Sequence, residues 1–210
     1  MMYQNCCKRV LDFVCALLGI VLLSWLLLLA ALAVKLTSKG PVLFRQRRIG
    51  CGKKEFLILK FRSMYTETPQ DMPTHLLQNP DAFITPVGRF LRKTSLDELP
   101  QLFNILAGQM AVVGPRPALW NQADLIAARD QVGANAIRPG LTGWAQVNGR
   151  DELPIPVKAA LDGEYVKRMS FGFDCSIIWK TARQVLHAEG VVEGTQTPHA
   201  SDKEQEEAKK

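Results

Sequence analysis

The residues in this chain best suited to chemistry are the adjacent carboxylates Asp97 and Glu98, with Arg92 shortly before them and Arg116 in a Gly-Pro-Arg-Pro turn after them. Adjacent carboxylates can hold Mg2+, a hard cation that takes oxygen ligands and shares them with phosphates. Guanidinium groups bind phosphate through paired N–H donors. The start of a helix adds partial positive charge toward an anion. Carboxylate, divalent cation, arginine and helix end together suit phosphoryl transfer. A carboxylate can also be the nucleophile itself and form an acyl phosphate. A plainer alternative competes with this. Ser95 and Glu98 match the S-x-x-E capping box, in which Glu98 does no more than cap the following helix. Spacing alone leaves both open.

Holding these groups in place takes a folded core, and 210 residues suffice for one domain plus a membrane segment. Phe13 to Val34 carries no charge. At about 1.5 Å per residue it just reaches across a hydrocarbon core of roughly 30 Å. Ala31-Leu32-Ala33 has the look of a signal-peptide cleavage site, but the apolar run exceeds the usual stretch of about 7–15 residues. Lys8 and Arg9 precede the run, and Lys35 and Lys39 follow it. The positive-inside rule claims both ends for the cytoplasm. A helix that enters and returns on one face satisfies both, and the hydroxyl of Ser24 near its middle can serve a bend.

Residues 35–62 hold nine basic side chains against the single acid Glu55, in a chain whose net charge is +6. Beside a membrane segment this favours lipid or phosphate over a merely solvated face, each basic residue being worth roughly 1 kcal/mol near an anionic leaflet. Five cysteines without a CxxC pair, and the scattered His75, His187 and His199, argue against a disulfide framework or a zinc site. Nucleic-acid binding lacks an aromatic-interleaved basic groove.

Along the remaining chain, Val42–Phe44 and Phe56–Leu59 read as a short hairpin around Gly50 and Gly52. Residues 65–86, with four prolines, read as a long surface loop with at most one helical turn. A helix should follow Pro100, since Leu99, Leu102, Phe103 and Leu106 recur at helical spacing and Gly108 can end it. Val112-Val113 reads as a strand and 119–131 as helix-compatible. Residues 138–144 read as a loop, 145–147 as a brief strand, and 157–169 and 174–188 as amphipathic helices.

Five ordered motifs then make a specific likeness. They are Lys8-Arg9-Val10-Leu11-Asp12, Lys60-Phe61-Arg62-Ser63-Met64, the run Ser95 to Asn104, Val113-Gly114-Pro115-Arg116-Pro117, and the run Arg138 to Arg150. Over residues 3–190 the chain closely resembles the bacterial sugar transferases, specifically the small monotopic phosphoglycosyl transferases. The resemblance implies transfer of a sugar 1-phosphate from a UDP-sugar to polyprenyl phosphate, with release of UMP. It puts the nucleophile and the Mg2+ on Asp97 and gives Glu98 a part in proton or metal handling. Lys60, Arg92, Arg116, Asp162 and Asp174 match further family positions. Lys60, Arg92 and Arg116 are expected at phosphate or nucleotide. Arg138 and Arg150 are expected there too or in loop structure, and Asp162 and Asp174 as carboxylates supporting the site.

The expected fold is α/β but mostly α, a small membrane-associated catalytic domain. It combines an N-terminal re-entrant membrane helix (1–39), a catalytic unit (40–190) with a short β-hairpin and interfacial amphipathic helices, and a polar tail (191–210). Its expected place is the bacterial inner membrane, with the catalytic unit on the cytoplasmic face. One departure stands out. Family members carry Ser-Pro at the middle of the membrane helix, where this chain has Ser24-Trp25. Without the proline a sharp bend loses its main local cause, and a straighter span becomes a competing expectation. The rival functional reading is a non-catalytic membrane-anchored module that binds nucleotide sugars or acidic lipids.

Overall fold

The computed structural model describes residues 3, 7–68, 80–149 and 153–186. The polar tail, Arg150 and most of the proline-rich loop therefore lie outside the described residues. The architecture is mostly helical, with two small two-stranded sheets.

The apolar run forms two helices rather than one, α1 (Lys8–Leu22) and α2 (Ser24–Thr37), bent by 65° at Leu23. No single described helix is long and apolar enough to cross a membrane, though the bent pair together has the length and composition. The bend forms without proline. Leu23 leaves helical geometry at φ −99° and ψ 10°, and Ser24 Oγ donates to the Val21 carbonyl at 2.9 Å, a back-bond that bends helices. Packing holds each arm separately. Ala16 of α1 sits in a core with Phe56, Ile58, Leu102 and Ile105, whereas Ala30 and Val34 of α2 pack with Phe61 and Leu91. The outer faces of both helices expose Leu18, Leu22, Trp25, Leu28, Leu29, Leu32 and Leu36 among other large apolar side chains.

The Lys8-Arg9-x-x-Asp12 motif fastens α1 to the rest of the chain. Lys8 Nζ pairs with Asp174 Oδ2 at 2.7 Å, and Asp12 Oδ1 accepts from the Val112 amide at 2.9 Å. Arg9 donates to the carbonyls of Ile105 and Leu106 at 2.6 and 3.0 Å, satisfying the end of helix α4 (Gln101–Leu106).

Strands β1 (Leu43–Ile49) and β2 (Glu55–Phe61) form the expected antiparallel hairpin, with Phe44 opposite Lys60. Asn104 ties α4 to β2's other edge. Its amide donates to Leu57 O at 2.8 Å and its Oδ1 accepts from Leu59 N at 3.0 Å. Helix α3 (Pro86–Lys93) starts on a Thr85 cap with proline in the first turn, a start signal passed over in the reading of 65–86 as loop.

Strand β3 (Ala111–Val113) pairs in parallel with β4 (Gly140–Thr142). This corrects two expectations, because 140–142 is strand rather than loop, and 146–148 is a 3-10 turn rather than strand. The reason is backbone proximity that only glycine permits. A Cβ on Gly140 would lie 2.1 Å from Gly114 N, and one on Gly143 would lie 2.1 Å from Gly114 O. Helices α5 (Ala123–Gln131), α6 (Ile155–Arg168) and α7 (Phe171–Leu186) complete the domain, with Tyr165 and Ile177 fully buried against Val113 and Val147.

Candidate active site

The Asp97-Glu98 pair sits in a 3-10 turn (Leu96–Glu98) between α3 and α4. Ser95 enters this turn in the left-handed region at φ 57°, unusual for a residue with a side chain. Its own amide closes α3 on the Arg92 carbonyl at 3.1 Å. The capping box does not form, since Ser95 makes no side-chain cap. Instead Glu98 Oε1 accepts from Lys60 Nζ at 2.7 Å and from Arg116 Nη2 at 3.0 Å. The pair therefore points into a basic cluster assembled from β2, the 3-10 turn and the Gly-Pro-Arg-Pro turn.

The two neighbouring carboxylates live in different surroundings. Burial works against the charge of Glu98, but Arg116 and Lys60 outweigh it and hold the carboxyl well below its usual range. Asp97 is 8% exposed, and among the described residues no donor is hydrogen-bonded to its carboxylate. Burial pushes it up to about 6, with the Glu98 charge adding to the rise and Lys60, Arg92 and Arg116 opposing it. One carboxylate is thus locked as an anion, while the other keeps its oxygens uncommitted beside three cations.

Arg116 is held by its backbone from several sides. Gly140 N donates to Pro115 O at 2.9 Å, Ile49 N to Ala118 O at 2.9 Å, and Arg48 Nη1 to Pro117 O at 2.9 Å. Arg129, 3% exposed, donates from Nη1 to the Arg116 carbonyl at 2.8 Å. Its other side binds Asp162 Oδ2 at 2.6 and 2.7 Å, which gives Asp162 an indirect hold on the site. Burial raises the Asp162 carboxyl despite Arg129.

Other expected residues fall elsewhere. Asp174 lies in a separate buried network, accepting from Lys8, Tyr3 and Tyr165 at 2.7, 2.6 and 2.8 Å, and holds α1 rather than Asp97. Arg138 donates to Gly108 O at 3.0 Å. Arg92 ends α3 within electrostatic reach of Asp97. Sequence reasoning passed over Arg129. Only its place on a short helix otherwise rich in alanine hinted that a buried partner was needed.

Among the described residues no three His, Cys, Asp or Glu side chains form a metal cluster. Mg2+ does not need one, because it commonly takes one or two protein carboxylates and fills its octahedron with water and substrate phosphates. The uncommitted Asp97 carboxylate fits that demand; Glu98, occupied by two cations, fits it less well.

The sequence that builds this site has counterparts among known proteins. A family model described as bacterial sugar transferase matches residues 3–188. The chain is 41% identical to the undecaprenyl-phosphate glucose phosphotransferase of Komagataeibacter xylinus, over 85% of this chain and 36% of that protein. It is 42% identical to the UDP-glucose:undecaprenyl-phosphate glucose-1-phosphate transferase of Escherichia coli, over 83% of this chain and 39% of that protein. It thus spans less than half the length of these relatives. A full-length counterpart is the uncharacterized sugar transferase EpsL of Bacillus subtilis, 39% identical over 92% of this chain and 93% of that protein. With its family match covering nearly all of the described residues, the chain belongs to the bacterial sugar transferase family.

Proposed function

We propose that this protein transfers a sugar 1-phosphate from a UDP-sugar to polyprenyl phosphate, acting as a phosphoglycosyl transferase. The observation that carries this reading is the buried, uncommitted Asp97 beside a Glu98 clamped by Lys60 and Arg116. An Asp97 oxygen attacks the sugar-proximal phosphorus of the UDP-sugar. The bond from that phosphorus to the bridging oxygen breaks, and UMP leaves with the oxygen. The enzyme then carries the sugar 1-phosphate as an acyl phosphate on Asp97. A phosphate oxygen of polyprenyl phosphate attacks the same phosphorus, the Asp97 oxygen leaves, and polyprenyl diphosphate sugar forms. Each step exchanges one anhydride bond of the phosphorus for another, diphosphate for acyl phosphate and then acyl phosphate for diphosphate, so no net proton is needed.

Arg116, anchored through its carbonyl, and Arg92 serve the nucleotide phosphates. Lys60 and Glu98 set the charge around Asp97. Mg2+, held by Asp97 and the diphosphate, would neutralise charge on the leaving UMP. The names of the relatives favour undecaprenyl phosphate as acceptor and UDP-glucose as donor, or UDP-N-acetylgalactosamine as in the name of an Aeromonas hydrophila relative.

The same reading puts the protein on the bacterial inner membrane, with α1 and α2 as a re-entrant hairpin and the catalytic unit on the cytoplasmic face. Support comes from the 65° bend, the exposed leucines of both arms and the basic residues at both ends. The outward Phe171, Ile178, Trp179 and Leu186 of α7 suit the membrane surface as well.

The test is UMP release from a panel of UDP-sugars with undecaprenyl phosphate, with and without EDTA. A stoichiometric burst without acceptor and sustained release with it, both abolished by EDTA, are expected. Binding of UDP-sugar without any release would favour the non-catalytic module instead.

A further inference from the structure

Arg62 follows β2 and is the third residue of the Lys60-Phe61-Arg62 motif. It is 4% exposed, and among the described residues no carboxylate pairs with it. Its Nη2 donates to Ser38 O at 2.9 Å and Ser38 Oγ at 2.7 Å. Among the described residues its Nε and Nη1 find no acceptor. These two nitrogens carry three of the five guanidinium N–H donors. A buried cation with neither counter-ion nor full hydrogen bonding is costly in a fold. The contacts to Ser38, at the end of α2, use only Nη2.

What lies over Arg62 is thin. Gly40, at φ +118°, passes so close that a Cβ there would sit 2.1 Å from Nη1. Ser38 and Gly40, which cover Arg62, also line an open hollow of about 410 Å³ together with Lys35, Leu36, Thr37 and Lys39. Lys35, in the last turn of α2, and Lys39, just past its end, are both exposed. Leading to this hollow along α2 is a stripe of outward leucines at four-residue spacing: Leu28, Leu32 and Leu36, 71%, 55% and 75% exposed. Cationic groups at the end of an apolar stripe are the complement of a lipid phosphate with its tail alongside the helix.

We propose that Lys35, Lys39 and Arg62 form the site that receives the phosphate of the polyprenyl acceptor, its tail lying on Leu28, Leu32 and Leu36. This rests on the transferase reading given above. Lys60 is the last residue but one of β2, and Arg62 directly follows the strand, its amide donating to Val42 O at 2.9 Å. Lys60 holds Glu98. Arg62 is thus two residues along the chain from the lysine that holds Glu98. Two negative charges on a phosphate monoester suit a three-cation site better than the single charge of a phospholipid diester. Entry requires Ser38–Gly40 to lift, which exchanges the Ser38 contact for phosphate oxygens. The positive φ of Gly40 is where that strap can turn.

Radiolabelled undecaprenyl phosphate is titrated onto the full chain in phosphatidylcholine nanodiscs, with undecaprenol as control and phosphatidylglycerol as competitor. Lys35→Gln with Lys39→Gln changes only exposed side chains and is expected to weaken binding at least fivefold. Arg62→Lys is expected to weaken it about tenfold. Both should leave the acceptor-free burst of UMP from UDP-sugar at wild-type amplitude. Wild-type affinity in the double lysine variant overturns the proposal, whatever Arg62→Lys does to folding. Displacement by equimolar phosphatidylglycerol also overturns it, by showing a bulk headgroup site. Loss of burst and binding in equal proportion assigns the residues to structure and overturns it too. A wild type that binds the acceptor but gives no burst with any UDP-sugar refutes the covalent mechanism and leaves this site standing.

Discussion

Two buried clusters in this protein use the same kinds of residue and arrive at opposite states. Around Asp174, Lys8, Tyr3 and Tyr165 converge on one carboxylate, while Asp12 accepts from the Val112 amide. Around Asp97, the cations Lys60 and Arg116 bind its neighbour Glu98 and leave Asp97 without a hydrogen bond from any described residue. The first cluster joins α1 to α7 and to the edge of β3, and its satisfied bonds make it a fastening. The second keeps one carboxylate buried, poorly solvated and uncommitted, which costs stability and, on the proposed function, preserves a nucleophile. Residue type does not separate a structural carboxylate from a reactive one. The number of donors already spent on it does.

The largest expected contrast comes from removing one charge from each cluster. Asp97→Asn should cut UMP release at least about a thousandfold. It should also stabilise the fold. The folded pKa of Asp97, about 6, lies above the value of 3.8 for a free aspartate, so its contribution to stability is present at low pH and is lost as pH rises from about 4 to about 6. Removing the charge should recover on the order of 2–3 kcal/mol at pH 7, read by urea melts in EDTA. Asp174→Asn should do the reverse. It leaves Lys8 buried without its closest counter-ion and should cost about 3–5 kcal/mol, with UMP release per folded molecule within a few-fold of wild type. Equal loss of release in the two variants, after correction for folded fraction, would break the comparison.

A smaller effect is expected one layer out. Arg129→Lys keeps a cation beside Asp162 but cannot serve both Asp162 and the Arg116 carbonyl. A roughly tenfold fall in kcat/KM for the UDP-sugar is expected, with a stability loss of about 1–2 kcal/mol. An unchanged KM with a larger stability loss would make Arg129 a core residue only.

Periodicity and punctuation made much of this legible. The hairpin, the helix after Pro100 and the last two helices follow from apolar spacing and from Gly and Pro. The β3–β4 pairing did not, because it depends on Gly114, Gly140 and Gly143 meshing across a gap of some 26 residues that no local pattern records. The bend at Leu23 was half legible. Ser24 marked its place and bonds back across it, but the separate docking of Ala16 and Val34 that holds the two arms left no local signal. At the site, motif order named Asp97, Glu98, Lys60 and Arg116, and Ser95-x-x-Glu98 offered a false local explanation. Its failure is tertiary: Lys60 and Arg116 offer Glu98 two charged donors where a cap would offer one amide. Asp162 and Asp174 look alike in sequence, and only their partners, Arg129 and Lys8, divide them.

The finest test addresses the division of labour within the pair itself. Asp97 must lose its proton to attack, so the UMP burst should grow as pH rises through about 6 and level off above it. Glu98 contributes to that midpoint in two ways, since its charge repels ionisation of Asp97 and its oxygen occupies Lys60 and Arg116. Glu98→Gln removes the repulsion and loosens both cations, which then turn toward Asp97. Both changes favour the Asp97 anion, so the midpoint of the burst should fall below 6. The plateau should fall as well, because a carboxylate bonded to Lys60 is a weaker nucleophile than an uncommitted one. A midpoint that stays at about 6 would mean that burial alone sets the Asp97 proton affinity, and that Glu98 does not keep its neighbour available for attack.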